Sequence, residues 1–135
     1  MGSVWFLDSG ESFHMTGDRD LFSNLDEKDL GVHIEMGDDV RYSVTGIGTI
    51  SFERESGKPF RLKEVMHVPG LKKNLISVAM LEDKGYDVVF SKGKAFLRSK
   101  TTGETWKIGV RVKNLYQLHV DGYVEMACKA EGLVS

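Results

Sequence analysis

The sequence predicts a mainly β domain with one or two helices, and two features of the chain support this class. Short apolar runs rich in strand-forming residues recur along the chain, as at residues 4–7, and apolar and polar side chains alternate at residues 32–36. The chain also contains 15 glycines, several of them in turn sequences such as residues 91–94 and 101–104. Frequent turns between short strands are typical of an all-β core.

Strand patterns account for most of the predicted elements. The polar segment 23–28 is predicted to be a surface loop or a helical turn, and residues 55–59 are predicted to turn the chain. The predicted strands are residues 4–7, 32–36, 41–44, 50–54, 60–68, 86–90, 95–97, 105–108 and 114–120.

Residues 74–84 form the strongest helix candidate. Apolar side chains follow helical spacing there, Asn74 is a plausible N-cap, and Gly85 stands where a C-terminal cap belongs. The tail from 124 to 130 is weakly helical in pattern. We therefore expect one main helix in the middle of the chain.

Composition limits the classes of function. The 135 residues fit one domain, and a 41% hydrophobic, 28% charged chain is typical of a soluble globular protein. A net charge of −2 disfavours nucleic-acid binding, and no apolar run approaches bilayer length or the core of a signal peptide. The single cysteine, Cys128, suits a reducing compartment. We expect residues 1–3 to be a leader, 4–120 the domain and 121–135 a tail toward the next segment.

The tripeptide Asp8-Ser9-Gly10 is the candidate site for chemistry. Taken alone, these residues favour a structural turn for backbone reasons. Here, however, Asp8 follows directly on an apolar strand, so its carboxyl group is expected at the end of a buried strand.

Several short blocks stand out in order between residues 4 and 120. The blocks are Trp5-Phe6-Leu7-Asp8-Ser9-Gly10, His14-Met15-Thr16-Gly17, Gly46-Ile47-Gly48-Thr49, Val65-Met66-His67-Val68-Pro69-Gly70-Leu71, Lys72-Lys73-Asn74-Leu75-Ile76-Ser77, Gly85-Tyr86 and Asn114-Leu115-Tyr116. Together they resemble the aspartic protease unit of copia-type retrotransposon polyproteins. The resemblance implies a retropepsin-like, mainly antiparallel β fold, a closed barrel or sheets with one short helix. It also implies a homodimer that cleaves the element's own Gag-Pol polyprotein without metal or organic cofactor, in the cytoplasm within virus-like particles.

The chemistry of such proteases explains why a dimer is expected. Two adjacent carboxyls share a proton, one acting as base toward water and the other as acid toward the peptide carbonyl. The chain has a single Asp-Ser-Gly sequence, so a twofold axis between two Asp8 side chains would supply the second carboxyl. Ser9 would then hydrogen-bond across the axis, and Gly10 would let the backbone turn close to the substrate.

The resemblance also places a flap, a β-hairpin that covers the cleft, at residues 44–50. Thr45, Gly46, Ile47 and Gly48 would form its pliable, substrate-binding tip. Residues 75–77 stand where retropepsins have two apolar residues and a glycine, and Ser77 replaces that glycine in this chain.

Glu11 departs from the small residue that usually follows Asp-Ser-Gly in these relatives. A third carboxylate beside the dyad could raise the apparent pKa values of the pair. Two outcomes are expected: an enzyme with highest activity under acidic conditions, or an enzyme with lower activity than its relatives. We hypothesise reduced activity at neutral pH. Glu11 also keeps one alternative open, a domesticated or decayed, non-catalytic dimeric binding or assembly module. A third class, an unrelated β-barrel binding domain, would require all the matching blocks to be coincidence.

The remaining reactive residues are assigned to the fold. The spacing of His14, His33, His67, His119 and Cys128 matches no zinc-finger pattern, so we expect no metal site. His14 and His67 are expected to have their ring nitrogens satisfied locally. A Ser-His-Asp hydrolase is disfavoured because the chain lacks the Gly-x-Ser-x-Gly sequence.

Overall fold

Short β-strands make up most of the structure, a computed structural model in which residues 4–37, 39–53, 58–118 and 124–125 are described. The strands of the first half are β1 (Trp5–Asp8), β2 (Met15–Thr16), β3 (Asn24–Glu27), β4 (His33–Glu35), β5 (Arg41–Ser43), β6 (Gly46–Glu53), β7 (Pro59–His67) and β8 (Asn74–Ser77).

The second half begins with the single α-helix found among the described residues. This helix, α1 (Val78–Asp83), follows directly on β8, and a 3₁₀ turn at Arg19–Leu21 lies earlier in the chain. The prediction of a mainly β domain with one short helix is confirmed. The remaining strands are β9 (Tyr86–Ser91), β10 (Lys94–Ser99), β11 (Thr105–Val112), β12 (Leu115–Leu118) and β13 (Val124–Glu125).

An 11-stranded sheet connects these strands in the order β13-β6-β7-β2-β8-β1-β12-β11-β10-β9, with β3 pairing to β6, while β4 and β5 form a separate hairpin. The pairs β1/β8 and β2/β7 are parallel and the other pairs are antiparallel. Most strand pairs are therefore antiparallel, as expected, although two long-range parallel pairings interrupt this order. The expected closed barrel is not found, because within the described residues the sheet does not close on itself.

Strand β1 lies inside this sheet, between β8 on one side and β12 on the other. Its side chains alternate: Trp5 and Leu7 are buried in the main core, whereas Phe6 packs against a second apolar cluster on the opposite face. This alternation follows from the two-residue repeat of a strand. Because strands on both sides hold β1 in place, the position of Asp8, at the C-terminal end of this central strand, is fixed.

Aromatic rings extend the main core away from Asp8. Trp5 meets Phe52 edge to face at 5.9 Å between ring centroids, and Phe52 stacks on Phe60 at the same distance. Trp106 then contacts Phe60 at 6.5 Å. Such pairs add about 0.5–1.5 kcal/mol each beyond their buried area, so they anchor β1 firmly to β6 and β7.

Three predicted elements differ from the structure. Residues 74–77 form strand β8, because they pair with β1, and the helix begins only after Ser77, whose hydroxyl caps it. The polar segment around Asn24–Glu27 is strand β3, held by pairing with β6. In the tail, Val124–Glu125 is a strand rather than a helix; the rest of the predicted helix lies outside the described residues.

The glycine turns are as predicted. Lys92 and Gly93 have φ values of 52° and 78°, the left-handed pair that a two-residue hairpin needs. Gly85 has a φ of 99° and ends α1, donating its N–H to the carbonyl of Glu82. Within the described residues, no helix is long and apolar enough to cross a membrane.

Candidate active site

Asp8 is half-buried at the end of β1, and a local hydrogen bond orients its carboxyl. The N–H of Gly10 donates to Oδ1 of Asp8 at 2.8 Å. A Cβ added to Gly10 would lie 3.3 Å from the same oxygen, a tight contact, so glycine suits this turn. Ser9 is exposed between them. The predicted triplet is thus a turn that presents a carboxyl at the surface.

An open groove of about 420 Å³ surrounds Asp8. Its walls come from segments far apart in sequence, namely β1, the β4–β5 hairpin, β8 with its preceding loop, β9 and β12. The lining residues are Phe6, Leu7, Asp8, Ser9, Met36, Lys73, Leu75, Phe90, Asn114, Leu115 and Tyr116. Most of this lining is apolar, as in sites that bind peptide side chains.

A second, largely apolar groove of about 310 Å³ adjoins the first. Met36 and Lys73 line both grooves, so the two form one continuous surface. The ammonium of Lys73 lies 5.6 Å from the centre of the Phe6 ring, a cation–π contact that keeps the charge in the groove. Neither Met36 nor Lys73 could be assigned to the site from the sequence, because pairing between distant segments brings them to Asp8.

The predicted flap segment has a different local structure. Gly46, Ile47 and Gly48 lie in the interior of the sheet, in strand β6, paired with β3 on one side and β7 on the other. This segment is therefore the middle of a paired strand and not a hairpin tip, and its substrate-binding role stays a prediction. A Cβ at Gly48 would stand 2.1 Å from the carbonyl oxygen of Asn24, so glycine is required there for close strand approach. Thr45 donates its N–H to the carbonyl of His67 at 3.0 Å.

The hairpin that does reach the Asp8 groove is β4–β5. Met36 follows β4 directly and lines the groove, and Asp39 has a φ of 63°, a turn conformation. The strands pair through His33 with Ser43 and Glu35 with Arg41.

Glu11 is half-buried and interacts electrostatically with Asp8. Burial raises the pKa of the Glu11 carboxyl above its ordinary value, and the negative charge of Asp8 raises this pKa further. Within one chain, Glu11 is thus a second carboxyl near Asp8, and the third carboxylate beside a dyad stays a prediction.

A buried polar network supports the loop that carries Glu11. The hydroxyl of Ser77 donates to the backbone carbonyl of Glu11 at 2.7 Å, and the backbone N–H of Ser77 donates to Nδ1 of His14 at 2.9 Å. His14 is 2% exposed. Burial lowers the pKa of His14 to about 4; the charge of Glu64 opposes this shift and that of Lys84 adds to it. The imidazole is therefore neutral near pH 7.

Both buried histidines have local partners, as predicted. Besides the contact of His14 with Ser77, Nδ1 of His67 shares a 3.1 Å hydrogen bond with the hydroxyl of Thr45. Among the described residues, no three His, Cys, Asp or Glu side chains are grouped so that they could hold a metal ion. His119 and Cys128 lie outside the described residues.

Comparison with known proteins identifies the family. Residues 5–86 match the family described as "Pol polyprotein, beta-barrel domain", and the chain belongs to this family. It is similar to the "Retrovirus-related Pol polyprotein from transposon TNT 1-94" of Nicotiana tabacum, with 38% identity over 92 residues, or 68% of this chain. It is also similar to the "Retrovirus-related Pol polyprotein from transposon RE1" of Arabidopsis thaliana, with 29% identity over 114 residues, or 84% of this chain.

The chain spans only 7% and 8% of these two polyproteins. No solved structure matches it. The predicted relation to retrotransposon Pol polyproteins is confirmed. The family is defined as a β-barrel domain of Pol, whereas the protease activity, the shared dyad and the homodimer remain predictions.

Proposed function

We propose that the chain is an aspartic endopeptidase that processes the Gag-Pol polyprotein of its retrotransposon, as a homodimer in which each copy supplies Asp8. The observation that carries this proposal is the position of Asp8, a half-buried carboxyl at the end of a doubly paired strand and in the wall of an apolar groove. Within the described residues no Lys or Arg forms an ion pair with Asp8, so its carboxyl is available.

The proposed reaction needs two such carboxyls on either side of one water. The ionised Asp8 takes a proton from the water as its oxygen attacks the peptide carbonyl carbon. The protonated Asp8 of the other copy gives its proton to the carbonyl oxygen. When the tetrahedral intermediate collapses, the C–N bond breaks and the leaving nitrogen takes the proton that the first Asp8 gained from water. A hydroxyl of the intermediate returns its proton to the second Asp8 as the carboxyl product forms, so both side chains regain their starting states. The two carboxyls titrate as one unit because like charges at short range do not both ionise readily.

Exposed apolar side chains beside Asp8 support a homodimer. Phe90 and Leu115 line the groove although they are 41% and 45% exposed, and the Phe90 ring lies 4.7 Å from that of Tyr116. A second copy related by a twofold axis would cover such side chains and bring Ser9 next to its twin. The groove of one chain would then be half of the full cleft.

The β4–β5 hairpin takes the role of the flap in this proposal, because Met36, directly after β4, lines the same groove as Asp8. Closure of this hairpin on an extended peptide would exclude water from the reacting atoms. The substrate is the element's own polyprotein, and the setting proposed is the virus-like particle in the cytoplasm.

Peptide cleavage tests the proposal. Peptides spanning the junctions of the parent polyprotein are incubated with the parent chain and with Asp8→Asn, which keeps the shape of the side chain but not its charge. We expect the parent to cut at least one junction and Asp8→Asn to lose at least a thousandfold in kcat, in line with loss of a catalytic group. Equal cleavage by both chains, or none by a folded, dimeric parent, overturns the proposal.

One observation favours a second candidate, a non-catalytic dimeric assembly module. Glu11 places another carboxyl beside Asp8, which is unusual next to a working dyad. Sedimentation separates the two candidates when combined with the cleavage assay. A dimer that cuts no junction peptide between pH 3 and 8 supports the assembly module.

A further inference from the structure

We propose that Ser77 is a positioning residue for Asp8, and that its contacts with Glu11 and His14 hold the Asp8 and Glu11 carboxyls at a fixed separation. The catalytic consequence rests on the proposed function, whereas the structural part does not. Ser77 occupies the position where the resemblance to viral retropepsins implies a glycine, and a glycine has no hydroxyl with which to make these contacts.

Ser77 lies directly opposite Asp8. In the parallel pairing of β1 with β8, these two residues are Cα partners, and Ser77 is fully buried. Its hydroxyl both donates and accepts a hydrogen bond. The hydroxyl donates to the carbonyl of Glu11 at 2.7 Å and accepts the N–H of Met80 at 3.1 Å, which caps α1. One side chain thus joins the Asp8 loop to the start of the helix.

The backbone of Ser77 makes the second attachment. Its N–H donates to Nδ1 of His14 at 2.9 Å, so the proton of the neutral imidazole is on Nε2. The carbonyl of His14 accepts the N–H of Met66 at 2.9 Å, which fixes His14 to β7. The charged groups that act on His14 are Glu64 and Lys84, themselves an ion pair at 2.9 Å. The loop after Asp8 is therefore held at Glu11 and again at His14.

These two attachments explain how a carboxylate can stay close to Asp8. A glycine or alanine at position 77 could not donate to the Glu11 carbonyl, which would be left without this buried partner. The loop would then relax outward, and the Glu11 side chain would gain solvent and distance from Asp8. In a dyad, displacement of the supporting loop by even about 1 Å can cost up to roughly a hundredfold in rate.

The chain offers a matched control for the loss of this hydroxyl. Thr16 is also fully buried; its hydroxyl donates to Oδ1 of Asn74 at 2.6 Å and accepts the N–H of Asp18 at 3.1 Å. This side chain links β2 to β8 without touching Glu11. Ser77→Ala and Thr16→Val therefore each remove one buried hydroxyl that both donates and accepts a hydrogen bond.

The test measures the titration of the Glu11 carboxyl by ¹³C NMR in the parent and in both variants. We expect the pKa of Glu11 to fall toward its ordinary value in Ser77→Ala and to stay unchanged in Thr16→Val. In the cleavage assay, Ser77→Ala should lose roughly tenfold to a hundredfold in kcat with little change in KM. Thr16→Val should keep the parent kcat.

The proposal is overturned by an unchanged Glu11 titration in folded Ser77→Ala, or by an equal shift in both variants. If Ser77→Ala does not fold, Ser77→Cys, whose thiol has a similar shape and donates more weakly, is expected to give a smaller shift of the same sign. If the parent cleaves no peptide, only the protease function is refuted. The NMR titration still tests whether Ser77 holds the Glu11 loop in place, because it needs no catalytic turnover.

Discussion

Glu11 lies close enough to Asp8 for the charge of Asp8 to raise the pKa of the Glu11 carboxyl. A raised pKa means that the uncharged, protonated form of Glu11 persists to higher pH than it would for an exposed glutamate. The hypothesis, drawn from the sequence, that Glu11 reduces activity at neutral pH stays a prediction.

Replacing Glu11 by Gln tests this hypothesis. The substitution removes the charge and keeps the shape, so kcat/KM at neutral pH should rise relative to the parent. The measurement is the cleavage rate of one junction peptide from pH 3 to 8. Profiles of Glu11→Gln and the parent that coincide over this range would show that the charge of Glu11 does not affect the activity.

His14 gives the second prediction, on stability. Its pKa is lowered to about 4 in the folded chain by burial, below the 6.5 of a free histidine. Between these values the unfolded chain binds more protons, so stability is fully present above pH 6.5 and falls as the pH drops toward 4. The expected loss is on the order of 3 kcal/mol over this range.

Urea denaturation at a series of pH values measures this loss. In His14→Asn, where the amide oxygen can accept the Ser77 N–H, the His14 contribution to the pH dependence should disappear. The exposed His33 provides the control, since the free energy of unfolding of His33→Asn should depend on pH as steeply as that of the parent. If the free energy of unfolding of His14→Asn also falls with pH as it does in the parent, His14 is not the cause of this acid sensitivity.

The third prediction concerns the glycines of β6. Gly48→Ala would place a Cβ 2.1 Å from the Asn24 carbonyl oxygen and force β3 away, costing about 3 kcal/mol or more in the free energy of unfolding. Gly37→Ala is the matched control, because nothing lies within 4 Å of its added Cβ and the expected change is about 0.5 kcal/mol or less. Equal stability of the two variants would mean that Gly48 does not serve close strand pairing.

Lys73 gives the fourth prediction, on specificity. Its ammonium lines both grooves beside Asp8 and should favour peptides with an acidic side chain near the scissile bond. Lys73→Glu should lower kcat/KM for such peptides about tenfold and raise it for lysine-containing ones. Lys63→Glu, on β7 outside these grooves, makes the same charge change and should have no such effect. Identical preferences in Lys73→Glu and the parent would exclude Lys73 from substrate recognition.

Local signals predicted much of the fold, and long-range pairing explains the rest. The turn at Lys92 and Gly93 and the end of the helix at Gly85 depend on neighbouring residues, so the sequence predicts both correctly. Residues 74–77 follow a helical pattern but form a strand, since parallel pairing with β1 takes up their backbone groups. Strand β3 carries polar side chains and is defined by its pairing with β6.

The same division applies to the site. Asp8, Ser9 and Gly10 are contiguous and could be singled out as a motif after an apolar strand. The groove around these three residues could not be predicted from the sequence, because Met36 and Tyr116 reach it from distant parts of the chain. The flap was placed at residues 44–50 by resemblance and by its position after Asp8, whereas in β6 the two glycines Gly46 and Gly48 permit close packing against β3.

Mixing experiments test most directly whether two copies share one site. The parent chain is held at a fixed concentration and inactive Asp8→Asn is added in increasing excess. If each active site takes one Asp8 from each copy, mixed dimers lack half of the dyad, and parent activity should fall toward zero as Asp8→Asn captures the parent chains. Cleavage that stays constant under a large excess of Asp8→Asn, shown by sedimentation to form mixed dimers, would contradict a site shared between two chains.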